Sequence, residues 1–343
     1  VFSPVTREKF RKFRSIKRAW WSLIILTTAF VVSLFSEQIV NDHPLLLRYE
    51  GKLYFPTLQF YSAQTFGGQY RTEANYRTLR ADPAFREAGG WMILPPIPHD
   101  PLHPYLDLEG APPHPPSAQH WLGTDNAARD VFARLIYGFR ICMLFALSLA
   151  AISTVLGIIV GGIQGYLGGK VDLVVQRFIE VWSALPFLYV VILLGSIYGQ
   201  SFGILLFVMA IFQWIGLSYY LRGEFFKLRE QPYVLASRNL GTSTFNILFR
   251  QMLPNAMTPV ITLLPFMIVG GISSLTALDF LGFGLPPPTP SWGEMIQQGL
   301  DNLYAPWVAS SAVAALFITL LLTAFIGEGV RDAFDPKSFN KIQ

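Results

Sequence analysis

Charge is what this sequence has least of. Charged residues make up 14% of its 343 positions, where soluble proteins carry roughly 25%. With 52% hydrophobic residues and a mean hydropathy of +0.40, the chain reads as a polytopic membrane protein. Its net charge of +4 then follows from membrane topology and does not point to nucleic acid. Cysteine is almost missing. Cys142 stands alone in an apolar run, which excludes an intramolecular disulfide and a cysteine-based metal site. The five histidines (His43, His99, His103, His114 and His120) all fall in one segment, and no metal site is expected of them. A nucleotide-binding loop is also lacking. Such a loop needs Gly-x-x-x-x-Gly-Lys-Ser/Thr to wrap phosphates in backbone N–H groups. Lys52 and Lys170 follow glycines but precede Leu53 and Val171. The chain therefore has no route of that kind to ATP hydrolysis and is not expected to be an enzyme. If ATP drives it, the engine is a separate subunit.

The chain order gives a topology. Residues 1–19 form a basic N-terminus, with seven lysines and arginines from Arg7 to Arg18 against Glu8. The first residue is Val1, which reads as a trimmed start or a non-ATG codon. The first span is expected at 20–40, with Trp20 and Trp21 at the interface where indoles settle. It is too long for a signal peptide and lacks a small-x-small cleavage site, so it reads as uncleaved. Residues 41–140 hold half of the chain's proline and cannot form a regular helical domain. Short strands near Leu53–Phe60, turns and an extended proline-rich tail packed on the rest of the protein are expected there. A solvated loop without a specific role is the plainer alternative. The aromatics Tyr54, Phe55, Phe60, Tyr61, Phe66, Tyr70 and Tyr76 exceed what a linker needs.

Residues 141–343 contain the remaining spans. No charge lies between Arg140 and Lys170, which allows a span at 141–163, with Gly157, Gly161 and Gly162 for close packing. The 41 residues between Glu180 and Arg222 are also uncharged. A single helix crosses in about 20, so this is a hairpin: spans at 179–198 and 203–221, turning at 199–203. A charged loop follows at 222–255. Further spans are expected at 257–279, bent by Pro259 or Pro265, and at 305–327, with a tail at 328–343. Six spans with the N-terminus inside place 17 of the 26 lysines and arginines on the cytoplasmic side, as the positive-inside rule requires.

Within 222–255 the chain reads as two short helices around a glycine. Pro232 suits a first helical position, Gly241 suits a left-handed helix end, and Thr242 and Ser243 suit caps. Phe245, Leu248, Phe249 and Met252 share one apolar face, and Pro254 is expected to stop the run. The pattern Tyr233-Val234-x-Ala236-Ser237-x-x-Leu240-Gly241, followed by Met252-Leu253-Pro254-Asn255, resembles the EAA loop of ABC-importer permeases. Two positions depart from that loop: Leu235 stands where the family has glutamate, and Gln251 where it commonly has histidine. The resemblance implies a cytoplasmic coupling helix that sits in a cleft on an ATPase subunit, through Tyr233, Leu235, Ala236, Ser237, Leu240, Gly241 and Thr242. An ordinary loop between membrane helices is the bland alternative.

Three more stretches extend the resemblance. Trp121-Leu122-Gly123-Thr124-Asp125-x-x-x-Arg129-Asp130-Val131 is similar to the motif before the second span of peptide-importer permeases, which often have glycine where this chain has Ala128. Phe280-Leu281-Gly282-Phe283-Gly284-Leu285-Pro286-Pro287 with Pro290-Ser291-Trp292-Gly293 resembles their outer loop, and residues 327–336 resemble their tail. This is the pattern of the second, C-type permease of dipeptide, oligopeptide and nickel importers. The long outer segment, with Asn41-Asp42-His43-Pro44-Leu45-Leu46, Gly51-Lys52-Leu53-Tyr54-Phe55-Pro56 and Thr65-Phe66-Gly67-Gly68, looks like the Yej branch, whose members import oligopeptides and the peptide-nucleotide antibiotic microcin C. The resemblance implies an all-α membrane protein of the type I importer permease fold, with six transmembrane helices and a long irregular extracytoplasmic insertion between the first two. Its partners would be a second homologous permease, two ATPase subunits that hold ATP and magnesium, and a periplasmic peptide-binding protein, in a bacterial inner membrane. This chain would bind no cofactor. Ser183, Gln213, Ser218, Ser273, Ser274 and Thr276 are polar groups in uncharged stretches. They either line a solute path or bond to backbone carbonyls. The acids Glu37, Glu180, Asp279 and Glu328 lie at expected span ends, where a solvated or interfacial role is the simple reading. A nickel or other small-solute importer, a gradient-driven transporter and a membrane-anchored receptor are the rival readings. The second needs buried acids and inverted repeats, and the third needs fewer spans and an output domain.

Overall fold

The structure is a computed structural model, and it describes residues 4–334. The tail residues 335–343, with Asp335 and Pro336 of the C-terminal motif, lie outside the described residues. The elements run α1 (Pro4–Ser15), α2 (Lys17–Ser33), α3 (Ser36–Ile39), β1 (Leu46–Tyr49), β2 (Lys52–Tyr54), α4 (Tyr76–Ala81), α5 (Pro83–Glu87) and β3 (Trp91–Ile93). They continue with α6 (Val131–Leu167), α7 (Gly169–Ser183), α8 (Phe187–Tyr198), α9 (Phe202–Arg229), α10 (Pro232–Asn239), α11 (Thr244–Asn246), a π-helical turn at Ile247–Met252, α12 (Leu253–Phe280), α13 (Trp292–Asp301) and α14 (Pro306–Phe334). Among the described residues, four helical stretches are long and apolar enough to cross a membrane: Val131–Leu167, Phe202–Arg229, Thr244–Phe280 and Pro306–Phe334. Two bent pairs raise the number to six if each is one span: Arg7–Ser15 with Lys17–Ser33, at 94°, and α7 with α8, at 75°. Pro186 caps α8 and so marks the second bend.

The chain divides into two compact units. The first contains residues up to Thr27, Cys142–Pro286 and the chain from Leu316 onward. Its frame is the close approach of α6 and α9. A Cβ on Gly161 would lie 2.5 Å from the Ser218 carbonyl oxygen, and one on Gly165 would lie 2.6 Å from that of Arg222. Only glycine lets the backbones meet this way, and that closeness replaces the hydrophobic drive that lipid does not supply. The hairpin turn falls at Gly199–Ser201, where the Ser201 hydroxyl accepts the Ile204 N–H. Pro259 and Pro265 both lie inside α12 without interrupting it. At the N-terminus, Phe13 and Ala19 bury against Ala333 of α14, and Arg18 pairs with Glu328 at 3.1 Å.

The second unit contains Thr28–Ile141 and Pro287–Ala315. Here the sequence reading needs correction: the insertion is not merely irregular. It holds a three-stranded antiparallel sheet in the order β2-β1-β3, with Leu47 opposite Tyr54 and Met92. Only the first part of the expected strand at Leu53–Phe60 is a strand. Around the sheet sits an aromatic core of Leu47, Phe66, Tyr76 and Phe85, with Tyr49, Tyr54 and Tyr61 packed on it. Tyr49 stacks on Phe85 with ring centroids 5.8 Å apart. Four of the seven aromatics noted in the sequence thus serve the segment's own core, while Phe55, Phe60 and Tyr70 stay exposed. The segment before the expected span at 141 is helical from Val131. The loop expected before the last span contains α13, whose N-terminus is capped by the Ser291 hydroxyl.

Candidate functional site

The loop between α9 and α12 is packed on one side and bare on the other. Leu217, Leu221 and Phe225 of α9 form a buried cluster with Val234 of α10 and with Ile247, Leu248, Met252 and Ala256 of the segment leading into α12. Val234 is the peg of α10, and its neighbours face outward. Pro232 stands in the first turn of α10. Gly241 has φ +74°, in the left-handed region that favours glycine. The Thr242 N–H then turns back to the Ser237 carbonyl at 3.0 Å, closing the helix end. Ser243 occupies the cap position of α11, but its hydroxyl makes no capping bond. Pro254 does not stop the helix. The wider π-helical turn shifts the hydrogen-bond register, so that Pro254 falls in the first turn of α12, where no N–H is needed.

The outward face carries large apolar side chains beside the exposed Arg238 and Asn239. Leu240 is 85% exposed and Phe245 is 65% exposed. Tyr233, Leu235, Ala236 and Gly241 are exposed too, and Ser237 and Thr242 are half-buried. Phe245 leans on the half-buried Phe249, with ring centroids 4.7 Å apart. Exposed apolar side chains on a packed base are the form that a contact surface takes. At its foot, Arg222 of α9 donates to Asp172 of α7 at 2.6 Å.

One cleft opens beside this frame. It has a volume of about 480 Å³, and α8, α9 and α12 wall it with Phe187, Gln213, Tyr220, Phe266, Gly270 and Ser274, among others. Gln213 donates to the Met267 carbonyl at 3.1 Å. Of the six polar residues noted in the sequence, the cleft brings together Gln213 and Ser274. Ser218 and Thr276 are buried, and each hydroxyl bonds a carbonyl of its own helix. Ser183 and Ser273 are exposed outside the cleft lining. Asp279 is not a solvated span-end acid: it is buried, and its carboxylate accepts the Leu285 N–H at 2.7 Å, closing the turn after α12.

The second unit holds a buried charge cluster that sequence spacing did not reveal. Arg129 donates to Asp125 at 2.8 Å and to Glu294 at 3.1 Å, and Arg134 donates to Glu294 at 2.6 Å. Two cations and two acids neutralise each other, and Arg134 and Glu294 are 160 positions apart in the chain. Burial pushes the Arg129 pKa down, but Asp125 and Glu294 outweigh it and hold it above its usual value. Trp292 is buried and donates to the Leu135 carbonyl at 3.0 Å. The sequence signal was the motif pair at 121–131 and 290–293, which meet here.

Two groups of possible metal ligands occur among the described residues: Asp42, His43 and Asp100, and His99, His120 and Asp130. The first is an ion-pair site. His43 Nδ1 faces the Asn41 amide oxygen and the Asp42 carboxylate, and Nε2 faces Glu73, each at 2.9 Å, which leaves no lone pair for a metal. The hydrogen bond to Asp42 leads the causes that raise the His43 pKa to about 9. The second group is different in kind. The sequence does hold one His-x-x-x-His spacing with an acid inside, His99 to His103 around Asp100, which the expectation against a metal passed over. No helix forms there, and His120 is the histidine that meets His99. Burial is the largest cause that lowers the His99 pKa below its usual value.

The sequence profile of the binding-protein-dependent transport system inner membrane components matches residues 153–340. That stretch includes the α10 loop and the cleft. The chain belongs to this family. Among its relatives, the inner membrane ABC transporter permease protein YejE of Escherichia coli is 46% identical over 97% of this chain and 98% of its own. The peptidoglycan transport system permease protein YejE of Agrobacterium fabrum is 42% identical over 98% and 94%. The dipeptide transport system permease protein DppC of Bacillus subtilis is 39% identical over 65% of this chain and 70% of its own. A solved structure of the MetNI methionine ABC transporter overlays with a TM-score of 0.46 at 16% identity, covering 59% of this chain and 96% of that one. That overlay is too loose to add to the assignment. The family makes this chain a transport subunit of the inner membrane, and the long segment at 41–140 lies within the shared length of the two YejE relatives.

Proposed function

We propose that this chain is one of two permease subunits in an ATP-driven importer of oligopeptides, with six spans in the type I importer arrangement and both ends in the cytoplasm. The α10 loop docks in the cleft of an ATPase subunit. ATP and magnesium are held by the ATPase subunits and no cofactor by this chain. A periplasmic binding protein delivers the solute. The observation that carries this reading is the bare apolar face at Tyr233, Leu235, Leu240 and Phe245, set on a base that buries Val234 and Met252. A loop that only joined two spans would not need such a face. Leu235, in place of the family's glutamate, makes this contact apolar where an acid would make it ionic. The cleft around Gln213 and Ser274 would be this subunit's half of the solute path. Its walls are aromatic and amide-bearing without a fixed charge, which suits side chains of variable chemistry.

The name of the Agrobacterium relative favours a second cargo, peptide-bearing fragments of peptidoglycan. Uptake of a labelled oligopeptide and of a labelled muropeptide by the same cells separates the two. The subunit role is tested by purifying the chain from native membranes and identifying its companions by mass. A second permease of this family and ATPase subunits are expected. Recovery of the chain alone, or with unrelated proteins, contradicts the reading.

A further inference from the structure

The second histidine group has an unused ligand. One ring nitrogen each from His99 and His120 and a carboxylate oxygen of Asp130 lie within 4.8 Å of one another, and all three residues are buried. His99 Nε2 lies 2.8 Å from the Gln119 carbonyl oxygen. A carbonyl only accepts, so Nε2 carries the hydrogen and Nδ1 carries the lone pair. That Nδ1 is buried with no hydrogen-bond partner, on a residue only 8% exposed. His120 Nδ1 lies 2.7 Å from Asp130 Oδ2, and Asp130 Oδ1 accepts the Ala133 N–H at 2.8 Å. The two imidazole rings face each other with centroids 4.6 Å apart. Beside them opens a cleft of about 440 Å³, bordered by Arg77, His99, Gln119, Trp121 and Asp130.

We propose that His99, His120 and Asp130 bind a divalent transition-metal ion of the zinc type, with a fourth position open to water from the adjoining cleft. Two imidazoles and one carboxylate are a donor set that zinc accepts. A buried lone pair needs a donor or a cation, and among the described residues none donates to His99 Nδ1. The Asp130 carboxylate, in contact with His120, sets an anionic oxygen donor beside the two rings. The supports behind the ligands are also in place. The Gln119 carbonyl fixes one ring, and the Ala133 N–H fixes the carboxylate, which are the outer contacts that orient metal ligands. Zinc holds donors at about 2.0–2.2 Å, so the three side chains close in by on the order of 1 Å. The ion would brace the proline-rich chain at residues 99–120, which has few regular backbone bonds, against the start of α6. Its role there is structural and is separate from cargo.

The test uses the full chain in its membrane complex, purified without a polyhistidine tag, stripped with a chelator and desalted. Zinc is then titrated and counted by mass spectrometry. About one zinc per chain and a raised thermal unfolding midpoint are expected. His99→Gln keeps a donor for the Gln119 carbonyl, so the fold should survive while zinc affinity falls at least tenfold. If that variant does not assemble, cobalt replaces zinc in the natural chain. Visible absorption of a low-coordinate nitrogen and oxygen site supports the proposal, and a spectrum of hydrated cobalt overturns it. Equal zinc retention by the natural chain and His99→Gln also overturns it.

Discussion

Ala128 occupies a position where a side chain is unwelcome. Its φ is +58°, and it is buried at 1% exposure. The Asp125 carboxylate holds it there by accepting the N–H groups of Ala127 and Arg129, each at 2.9 Å. This is the left-handed region, where glycine is the residue that fits without strain. Left-handed backbone costs a side-chain residue roughly 1–2 kcal/mol, and glycine gives back about 0.5–1 kcal/mol of that in unfolded-state freedom. Ala128→Gly should therefore stabilise the chain by about 0.5–1 kcal/mol, read as a higher unfolding midpoint in detergent. A lowered midpoint would mean that the turn is not strained. His43 gives a pH signature at the same scale. Its pKa is raised to about 9 beside Asp42 and Glu73, against about 6.5 when unfolded. The stabilisation is complete below about pH 6.5 and is lost as the pH rises through 9. At Asp42, burial raises the carboxyl, but the hydrogen bond and charge of His43 prevail and hold it below its usual value. That contribution is present above about pH 4 and is lost as the pH falls through the lower folded value. The difference in unfolding midpoint between pH 6.5 and 9.5 should shrink in His43→Gln. An unchanged difference would remove His43 as its source.

The helices were the legible elements, because lipid forces an uncharged stretch of fixed length into the sequence. The turn between α8 and α9, the left-handed Gly241 and the close glycines of α6 could all be read from local pattern. What could not be read depends on distant partners. The sheet of β1, β2 and β3 pairs Leu46 with Ile93, and neither strand has enough length for its alternation to stand out. The Arg134–Glu294 pair, the burial of Asp279 and the meeting of His99 with His120 are all made by tertiary packing. So is the π-helical turn that lets Pro254 enter a helix. The α6–α9 contact yields a test at this scale. A Cβ at Gly161 meets backbone at 2.5 Å, while one at Gly223 meets nothing within 4 Å. Gly161→Ala should cost about 1–3 kcal/mol through forced separation of the helices. Gly223→Ala, also helical, should be neutral or slightly stabilising. Thermal unfolding of the two purified variants checks this, and equal midpoints would contradict the close contact.

At the scale of the whole molecule, the account makes two demands: an orientation and a coupling. For the first, Tyr70 is 70% exposed in the segment at 41–140, and Ser243 is exposed in the α10 loop. Cys142 is buried, so added cysteines report cleanly. Tyr70→Cys should react with an impermeant maleimide in intact cells, and Ser243→Cys should react only after the membrane is opened. Labelling of Ser243→Cys from outside would reverse the topology. The coupling claim rests on Gly241. Its φ of +74° penalises any side chain by roughly 1–2 kcal/mol, yet a Cβ there meets nothing within 4 Å. The chain itself has room, so a bulky residue acts by straining the turn and by striking whatever docks on it. The most direct measurement is ATP hydrolysis by the complex in lipid, with and without peptide-loaded binding protein. With Gly241→Val, normal amounts of complex and persisting basal hydrolysis are expected, but no stimulation by the loaded binding protein and little uptake. Gly241→Ala should fall between. Normal complex, stimulation and uptake with Gly241→Val would contradict the coupling role of this loop.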